Sequence, residues 1–325
     1  MSVLAYIEQT EGKFKKSAYE ALSYAYDVAQ QSGTSVTAFV IGNVADDVLK
    51  ELGKYGASKV MGTKQSNLDN FSTQSYSSAI HAAAEKEGAN TVVMSSSFST
   101  RGIAPRVAIK MGAGLADGAI ELPETGSGFS VKKSAYSSKS FAYNNVKTDK
   151  QIITVVGNVY PAKENNVDAS IESFEASIPE GELKVQVKET TIASGKILLP
   201  EAERVISGGR GLKGPENWGM VEELADLLDA GTACSKPVSD ADWRPHSEHV
   251  GQTGIAISPN LYVAIGISGA IQHLAGVSSS KTIVVINKDP EAPFFKAADY
   301  GVVGDAFEVV PKLIESVKKF KSAGA

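Results

Sequence analysis

The chain of 325 residues lacks several features that would define its chemistry at once. It contains one cysteine, Cys234, which excludes an internal disulfide and any iron–sulfur or zinc site built from cysteines. No apolar run approaches the roughly 18 residues that indicate a membrane span. A formal net charge of −5 without a lysine- or arginine-rich run argues against nucleic acid as a partner.

The beginning of the chain and its histidines also lack expected signals. Residues 1–8 have no basic segment before their apolar residues, so we expect neither a secretory signal nor a transit peptide. His246 and His249 have a spacing compatible with a metal, but no third ligand is evident, and we expect no metal site. Together with the single cysteine, these features predict a cytoplasmic protein.

The first half of the chain alternates strand-like and helix-like segments joined by short loops. This rhythm predicts a parallel sheet covered by helices on both faces. The predicted strands are 3–7, 35–41, 59–61 and 91–95, and the predicted helices are 15–31, 45–55, 75–86 and 102–111.

The pattern then changes. Segments 129–136, 138–146 and 151–156 alternate apolar with polar residues, which predicts antiparallel strands at the sheet edge. We interpret 157–181, with its prolines and acidic residues, as a surface connector, followed by one more strand at 183–190.

An α/β rhythm resumes in the second half. We predict strands at 204–207, 254–257, 262–267, 282–286 and 300–303, a helix beginning at Pro215 and a final helix at 311–321. The predicted fold class is therefore α/β with two domains, 1–192 and 193–325. Each domain is a mainly parallel doubly wound sheet, and the first carries an antiparallel edge extension.

The most informative segment is Leu261–Gly276. It indicates a buried strand, a glycine turn and a short helix, and a second apolar strand, Thr282–Ile286, follows and ends at Asn287. Two adjacent strand ends that offer glycine backbone, a hydroxyl, an amide and an imidazole favour a nucleotide cofactor.

Glycines also cluster at Ser207–Leu212. Their amides could turn toward one anion, with Arg210 adding a fixed charge. The alternative is a tight strand-to-helix turn with a solvated arginine, because the cluster is neither a G-x-G-x-x-G motif nor a P-loop.

From Val250 to Pro311 the chain closely resembles the alpha subunit of electron transfer flavoprotein. The first half resembles the same family mainly in layout. The residues that carry the resemblance are Val250–Gly254, Leu261–Gly276, Ile286–Pro293, Ala298–Gly301 and Asp305, together with Ser207–Leu212.

The resemblance implies FAD bound by the second domain. It places the Thr253 hydroxyl opposite N5 of the isoalloxazine ring, where a hydroxyl can donate or accept. It places His273 at the pyrimidine edge, where an imidazole proton stabilises negative charge. The implied cofactor-binding residues are Arg210, Ser235, Lys236, Val250, Gly251, Gln252, Thr253, Ser268, Gly269, Ala270, Ile271, Gln272, His273, Asn287 and Asp305.

Two positions need comment. Lys236 stands where the family usually has an arginine against the flavin, so the charge is kept and the planar stacking surface is lost. Arg244 is a candidate to replace it. Asn287 and Asp305 match positions toward the adenosine end, although an acid such as Asp305 at a strand end is often a helix N-cap.

The resemblance further implies an electron carrier rather than an enzyme that turns over a small substrate. It would receive electrons from flavin dehydrogenases, such as acyl-CoA dehydrogenases of fatty acid beta-oxidation, and pass them toward a quinone oxidoreductase. Its partner would be a beta subunit that carries AMP or a second flavin, and the first domain would be empty and form the interface. The alternatives are a bifurcating relative that uses NADH and an NAD-dependent oxidoreductase, although the latter lacks its expected glycine motif.

Overall fold

The computed structural model describes residues 2–126, 128–136, 138–189 and 197–323. The chain divides into two compact units. The first comprises Met1–Ala135 and Ser140–Ile192, and the second comprises Tyr136–Lys139 and Ala193–Ala325. Each unit builds its own sheet and its own apolar cores, as independent domains do.

The first unit is built on a nine-stranded sheet with the strand order β11-β5-β4-β1-β6-β10-β7-β8-β9. The strands of the whole unit, including two that lie outside this sheet, are β1 Ser2–Ile7, β2 Gln9–Thr10, β3 Lys13–Phe14, β4 Ser35–Ile41, β5 Ala57–Thr63, β6 Ala89–Ser95, β7 Gly114–Ala119, β8 Phe129–Ala135, β9 Ser140–Val146, β10 Gln151–Val155 and β11 Ser170–Ser173. Pairing is parallel from β11 to β7 and antiparallel from β7 to β9, while β2 and β3 form a separate small hairpin.

Helices cover both faces of this sheet. They are α1 Lys16–Gln31, α2 Asp46–Lys50, α3 Thr73–Lys86 and α4 Phe98–Met111. In β1, Val3 and Ile7 pack in the core that contains α1, whereas Leu4 and Tyr6 pack in the core that contains α3 and α4. Alternate side chains of one strand therefore serve two cores, which confirms the predicted doubly wound α/β class.

One predicted edge strand is in fact central. β10 lies between β6 and β7 and pairs parallel with both, so the antiparallel edge prediction for 151–156 is wrong. Ile152 and Ile153 are fully buried, one in each core. A strand buried on both faces needs consecutive apolar residues, and this short run resembled an edge strand because polar residues flank it.

Three other segments differ from the sequence prediction. β7, with two glycines and an aspartate, was not predicted because these residues disfavour strands. β11 lies within the predicted connector and pairs with β5 at the sheet edge. Residues 183–189 form no strand, and the remaining residue of that predicted segment, Thr190, lies outside the described residues.

The second unit contains a five-stranded parallel sheet with the order β13-β12-β14-β15-β16. The strands are β12 Arg204–Gly208, β13 Gly231–Cys234, β14 Leu261–Ile265, β15 Thr282–Asn287 and β16 Tyr300–Val303, and the helices are α5 Gly219–Leu227, α6 Lys236–Ser239, α7 Ile271–Val277 and α8 Ala306–Ser322. The chain adds β13 on one side of β12 and β14 on the other. The topological switch point therefore lies between β12 and β14, where open α/β sheets bind ligands.

The second unit also departs from prediction. Residues 254–257 are not a strand, because Ile255 N donates to His249 O and Ile257 N to Gly276 O, so the segment folds back locally. Helix α8 begins at Ala306, not Pro311, because Asp305 caps it by accepting a hydrogen bond from Phe307 N at 2.9 Å.

Pro215 begins a 3₁₀ turn, Pro215–Asn217, and α5 itself starts at Gly219. Across the ranges described above, the structure has no helix that is both long and apolar enough to cross a bilayer.

The central position of β10 predicts unequal costs for two truncations. Ile153→Ala removes a fully buried side chain and should lower the free energy of unfolding by about 2–5 kcal/mol. Tyr143→Ala on the outer strand β9, where the side chain is 57% exposed, should change it by no more than about 0.5 kcal/mol. Urea unfolding measures both, and equal costs would contradict this placement of β10.

Candidate functional site

A cavity of about 440 Å³ opens at the carboxyl edge of the second sheet, within the size range of ligand pockets. The segments that follow β12, β13, β14 and β15 all contribute to its wall. The lining residues are Arg210, Gly211, Ser235, Lys236, Pro237, His249, Val250, Gly251, Gln252, Thr253, Gly266, Ile267, Ser268, Ala270, Gln272, His273, Asn287, Asp289 and Ala292. Twelve of the fifteen residues in the predicted site are among these.

The glycine cluster after β12 serves a packing role. A Cβ atom at Gly211 would lie 2.7 Å from Cα of Gly266, which itself has a φ of 63°. Gly209 N donates to Ile265 O, and Gly211 N donates to Gly266 O. These two amides bind carbonyl oxygens at the end of β14 and in the turn that follows it. The prediction that the glycine amides converge on an anion is therefore wrong for these two. Close approach of two backbones is the reason for glycine here.

The turn at Val250–Gly254 is fixed in a similar way against α7. Gln252 N donates to Gln272 O at 2.7 Å, and Gly251 has a φ of 148°. A Cβ atom at Gly276 would lie 2.5 Å from Gly251 N. Glycine at position 276 therefore lets α7 approach the turn that presents Thr253 to the cavity.

His273 lies in the buried wall, only 7% exposed. Its Nε2 is 2.7 Å from the Tyr262 hydroxyl, and Nδ1 has no hydrogen-bond partner among the described residues. Burial, with His249 acting in the same direction, lowers the pKa of His273 to about 4, so the ring is neutral at pH 7. When the hydroxyl donates to Nε2, the single ring proton is on Nδ1 and is left for an acceptor.

Positive charge lies at the exposed rim. Arg210 and Lys236 line the cavity, and the Lys236 ammonium pairs with Asp240 at 2.6 Å. Arg244 is instead held by Glu248 at 2.7 Å and Glu222 at 2.9 Å. Arg244 is not among the residues that line the cavity.

Three residues of the predicted site are not in the cavity wall. Gly269, with a φ of 82°, turns the chain against Phe294, and Ile271 is exposed. Asp305 is the N-cap of α8, which was the alternative interpretation of this residue.

Seven lining residues were not predicted: Gly211, Pro237, His249, Gly266, Ile267, Asp289 and Ala292. Several directly adjoin predicted positions, as His249 adjoins Val250. Asp289 follows the predicted Asn287 by two residues, and its backbone N donates to Asn287 Oδ1 at 3.0 Å. For these residues, adjacency in the chain to predicted site residues was the feature of the sequence that could have indicated a place in the cavity wall.

The two histidines with a metal-like spacing have separate surroundings. His246 Nδ1 is 2.8 Å from the Ser239 hydroxyl, whereas His249 lines the cavity. In the part of the chain that the structure describes, no group of three or more His, Cys, Asp or Glu residues is placed to hold a metal ion.

The fold and the cavity define a two-unit α/β protein with a dinucleotide-type site at the strand ends of its second sheet. Residues 198–278 match the electron transfer flavoprotein FAD-binding domain, and residues 3–179 match the electron transfer flavoprotein domain. The chain belongs to the electron transfer flavoprotein alpha subunit family, and FAD is the cofactor of its second domain.

The similar curated proteins extend over almost the whole chain. The alpha subunit from Thermoanaerobacterium thermosaccharolyticum is 36% identical, with 97% of each chain covered. The alpha subunit from Bacillus subtilis is 35% identical, with 96% of each covered. The alpha subunit from Syntrophomonas wolfei is 36% identical, with 97% of this chain and 98% of the relative covered.

The packing at Gly276 predicts the effect of one methyl group. Gly276→Ala should push the Gly251 turn away from α7 and weaken FAD binding about 5–140-fold, because overpacking costs about 1–3 kcal/mol. Gly219→Ala in α5 is the control, since no atom lies within 4 Å of its Cβ position. Flavin fluorescence titration of the apoprotein measures both, and equal affinities would refute the packing role.

The buried thiol of Cys234 should be inert in the native chain. Burial, supported by Glu248 and opposed by Arg244, raises the pKa of Cys234 to about 12. The reactive thiolate is therefore scarce at pH 8. A chromogenic disulfide reagent should react with no thiol in the native protein and with one per chain in guanidinium chloride. Rapid native reaction would contradict this burial.

Proposed function

We propose that this chain binds one FAD noncovalently in the cavity of its second unit and acts as an electron carrier. The observation that carries the proposal is the cavity itself, at the switch point between β12 and β14, within the domain that matches the FAD-binding family. When bound, FAD supplies the redox chemistry, and the chain positions it and sets its electrostatic surroundings.

The lining residues divide into three chemical roles. Arg210 and Lys236 offer positive charge to the anionic parts of the cofactor. Thr253 offers a hydroxyl that can donate or accept, and His273 offers a neutral imidazole N–H from a buried wall.

Asn287 positions the turns that surround the cavity. Its Nδ2 donates to Ile267 O at 3.0 Å, and its Oδ1 accepts from Asp289 N. It therefore ties the turn after β14 to the loop after β15. We assign it to the adenosine end of the site by the resemblance to the family.

We also propose the partners that this family implies. The chain would be the alpha subunit of a heterodimer whose beta subunit carries AMP or a second flavin. Electrons would arrive from flavin dehydrogenases, such as acyl-CoA dehydrogenases, and leave toward a quinone oxidoreductase, in the cytoplasm. These assignments rest on family membership.

The first unit would bind no nucleotide and would form the beta-subunit interface. Phe98 and Ile109 support this role, because they are 94% and 83% exposed. They lie eleven residues apart on α4, which places them on the same helical face. Large exposed apolar side chains that share a face often mark a protein interface.

The visible spectrum of the purified subunit pair tests the proposed function. Flavin absorption bands, with one FAD per alpha subunit after any flavin in the beta subunit is counted, would support it. A second flavin in the beta subunit would favour the bifurcating alternative. A colourless pair that refuses added FAD and is saturated by NAD would refute the proposal.

A substitution at the rim should weaken FAD binding selectively. Arg210→Ala removes a cation from the cavity and should lower FAD affinity about 10–100-fold, because a charged hydrogen bond contributes about 1.5–3 kcal/mol. Lys213→Ala on the same turn is the control, since the Lys213 ammonium lies 4.6 Å from the Phe307 ring centroid and does not line the cavity. Equal losses in the two variants would show that Arg210 makes no specific contribution.

A further inference from the structure

The imidazole of His249 is a part of the cavity wall for which the resemblance supplies no role. The residue is 6% exposed and lines the cavity. Among the residues that the structure describes, none forms a hydrogen bond with its ring nitrogens, unlike His273 with Tyr262 and His246 with Ser239. His249 is thus a buried polar ring whose bonding capacity is open to whatever occupies the cavity.

The backbone holds this ring in place. His249 N donates to His246 O at 3.1 Å, and His249 O accepts from Ile255 N at 2.8 Å. An isolated bridge also connects His249 with Cys234 at the end of β13. The ring therefore lies at a defined point of the wall, between the end of β13 and the turn that presents Thr253.

Gly254 makes room for the ring, and Gly251 lies beside it. A Cβ atom at Gly254 would lie 2.8 Å from His249 Cγ, and one at Gly251 would lie 3.6 Å from Nε2. The turn from Gly251 to Gly254 therefore packs closely around the imidazole. A histidine side chain fits here because Gly254 has no side chain.

The charged groups that face His249 come from several elements. Burial and then the Lys236 ammonium lower the pKa of His249, Asp240 opposes them, and His246 acts in the lowering direction. Arg210 and Asp289 also line the cavity, and His273 is the other imidazole in the wall, with a pKa that is itself lowered in part by His249. A proton on one wall imidazole therefore disfavours a proton on the other.

We propose that His249 is the titrating group of the flavin site, taking up one proton from solvent when an electron is added to the bound flavin, while His273 stays neutral. This proposal rests on FAD binding in the cavity. The electron comes from the external donor, the proton binds a free ring nitrogen of His249, and no other bond forms or breaks. The product would be an imidazolium in the wall of the cavity that holds the added negative charge.

Two differences assign the proton to His249 rather than to His273 or Lys236. Negative charge placed in the cavity favours the charged form of a nearby imidazole. His273 is hydrogen-bonded to Tyr262 and has a pKa near 4. Its pKa would therefore need the larger rise before the ring is protonated at neutral pH. The Lys236 ammonium is held by Asp240 at 2.6 Å, whereas His249 has no such partner within the described ranges.

The test measures the potential of the first one-electron couple of the FAD-loaded heterodimer across the neutral pH range. A proton taken up with the electron makes this potential fall as pH rises, by up to about 59 mV per pH unit. His249→Gln should abolish the slope, because an amide does not titrate. His246→Gln is the matched control, since this neighbour does not line the cavity, and it should keep the slope.

Histidine ring NMR of the wild-type heterodimer gives a second readout that does not depend on a variant. The His249 resonances should move to imidazolium positions on reduction near neutral pH, and those of His273 should not. A wild-type potential without pH dependence, a slope retained in His249→Gln, or protonation of His273 instead would overturn the proposal. Absence of FAD from the heterodimer would overturn the proposed function as well, so the two failures are distinguishable.

Discussion

The close contact between the turns that follow β12 and β14 is the constraint on which the site depends. Gly209 and Gly211 lie against Gly266, and amides of the first turn donate to Ile265 O and Gly266 O. Any side chain at these positions would separate the turns at the switch point of the sheet. The cavity wall is continuous there because the two backbones meet with nothing between them.

Around that contact, the cationic side chains are exposed and the imidazole side chains are buried. The cations Arg210 and Lys236 lie at an exposed rim, whereas His249 and His273 lie in the buried wall. A full charge about 4 Å from the ring would contribute about 4 kcal/mol at an effective dielectric near 20, against about 0.5–1.5 kcal/mol for a neutral hydrogen bond. Solvent and Asp240 screen the charge of Lys236. A change of protonation in the buried wall would therefore change the energy of the bound flavin more than the Lys236 charge at the rim does.

Local patterns predicted most elements but not their neighbours in the sheet. The strand 35–41 and the helix 15–31 were predicted nearly to the residue, because a short apolar run, buried in all but its first residue, and a stripe of small apolar residues are local signals. The position of β10 between β6 and β7 was not predictable in this way, since a short apolar run looks the same at an edge and at the centre. The predicted strand 254–257 does not form, because backbone amides of this segment donate to His249 O and Gly276 O. These contacts are made only in the folded chain.

The sequence by itself determined the α/β class, the family and most of the residues at the cavity, because glycine spacing and strand-end polar residues are encoded in order along the chain. Only the tertiary structure decided which glycines serve backbone contact, that Asp305 caps a helix, that Arg244 is held by two glutamates, and that His249 faces the cavity. These outcomes depend on distances between segments far apart in sequence. Burial, the main cause of the low pKa of His273, likewise exists only after the sheet and its turns have assembled.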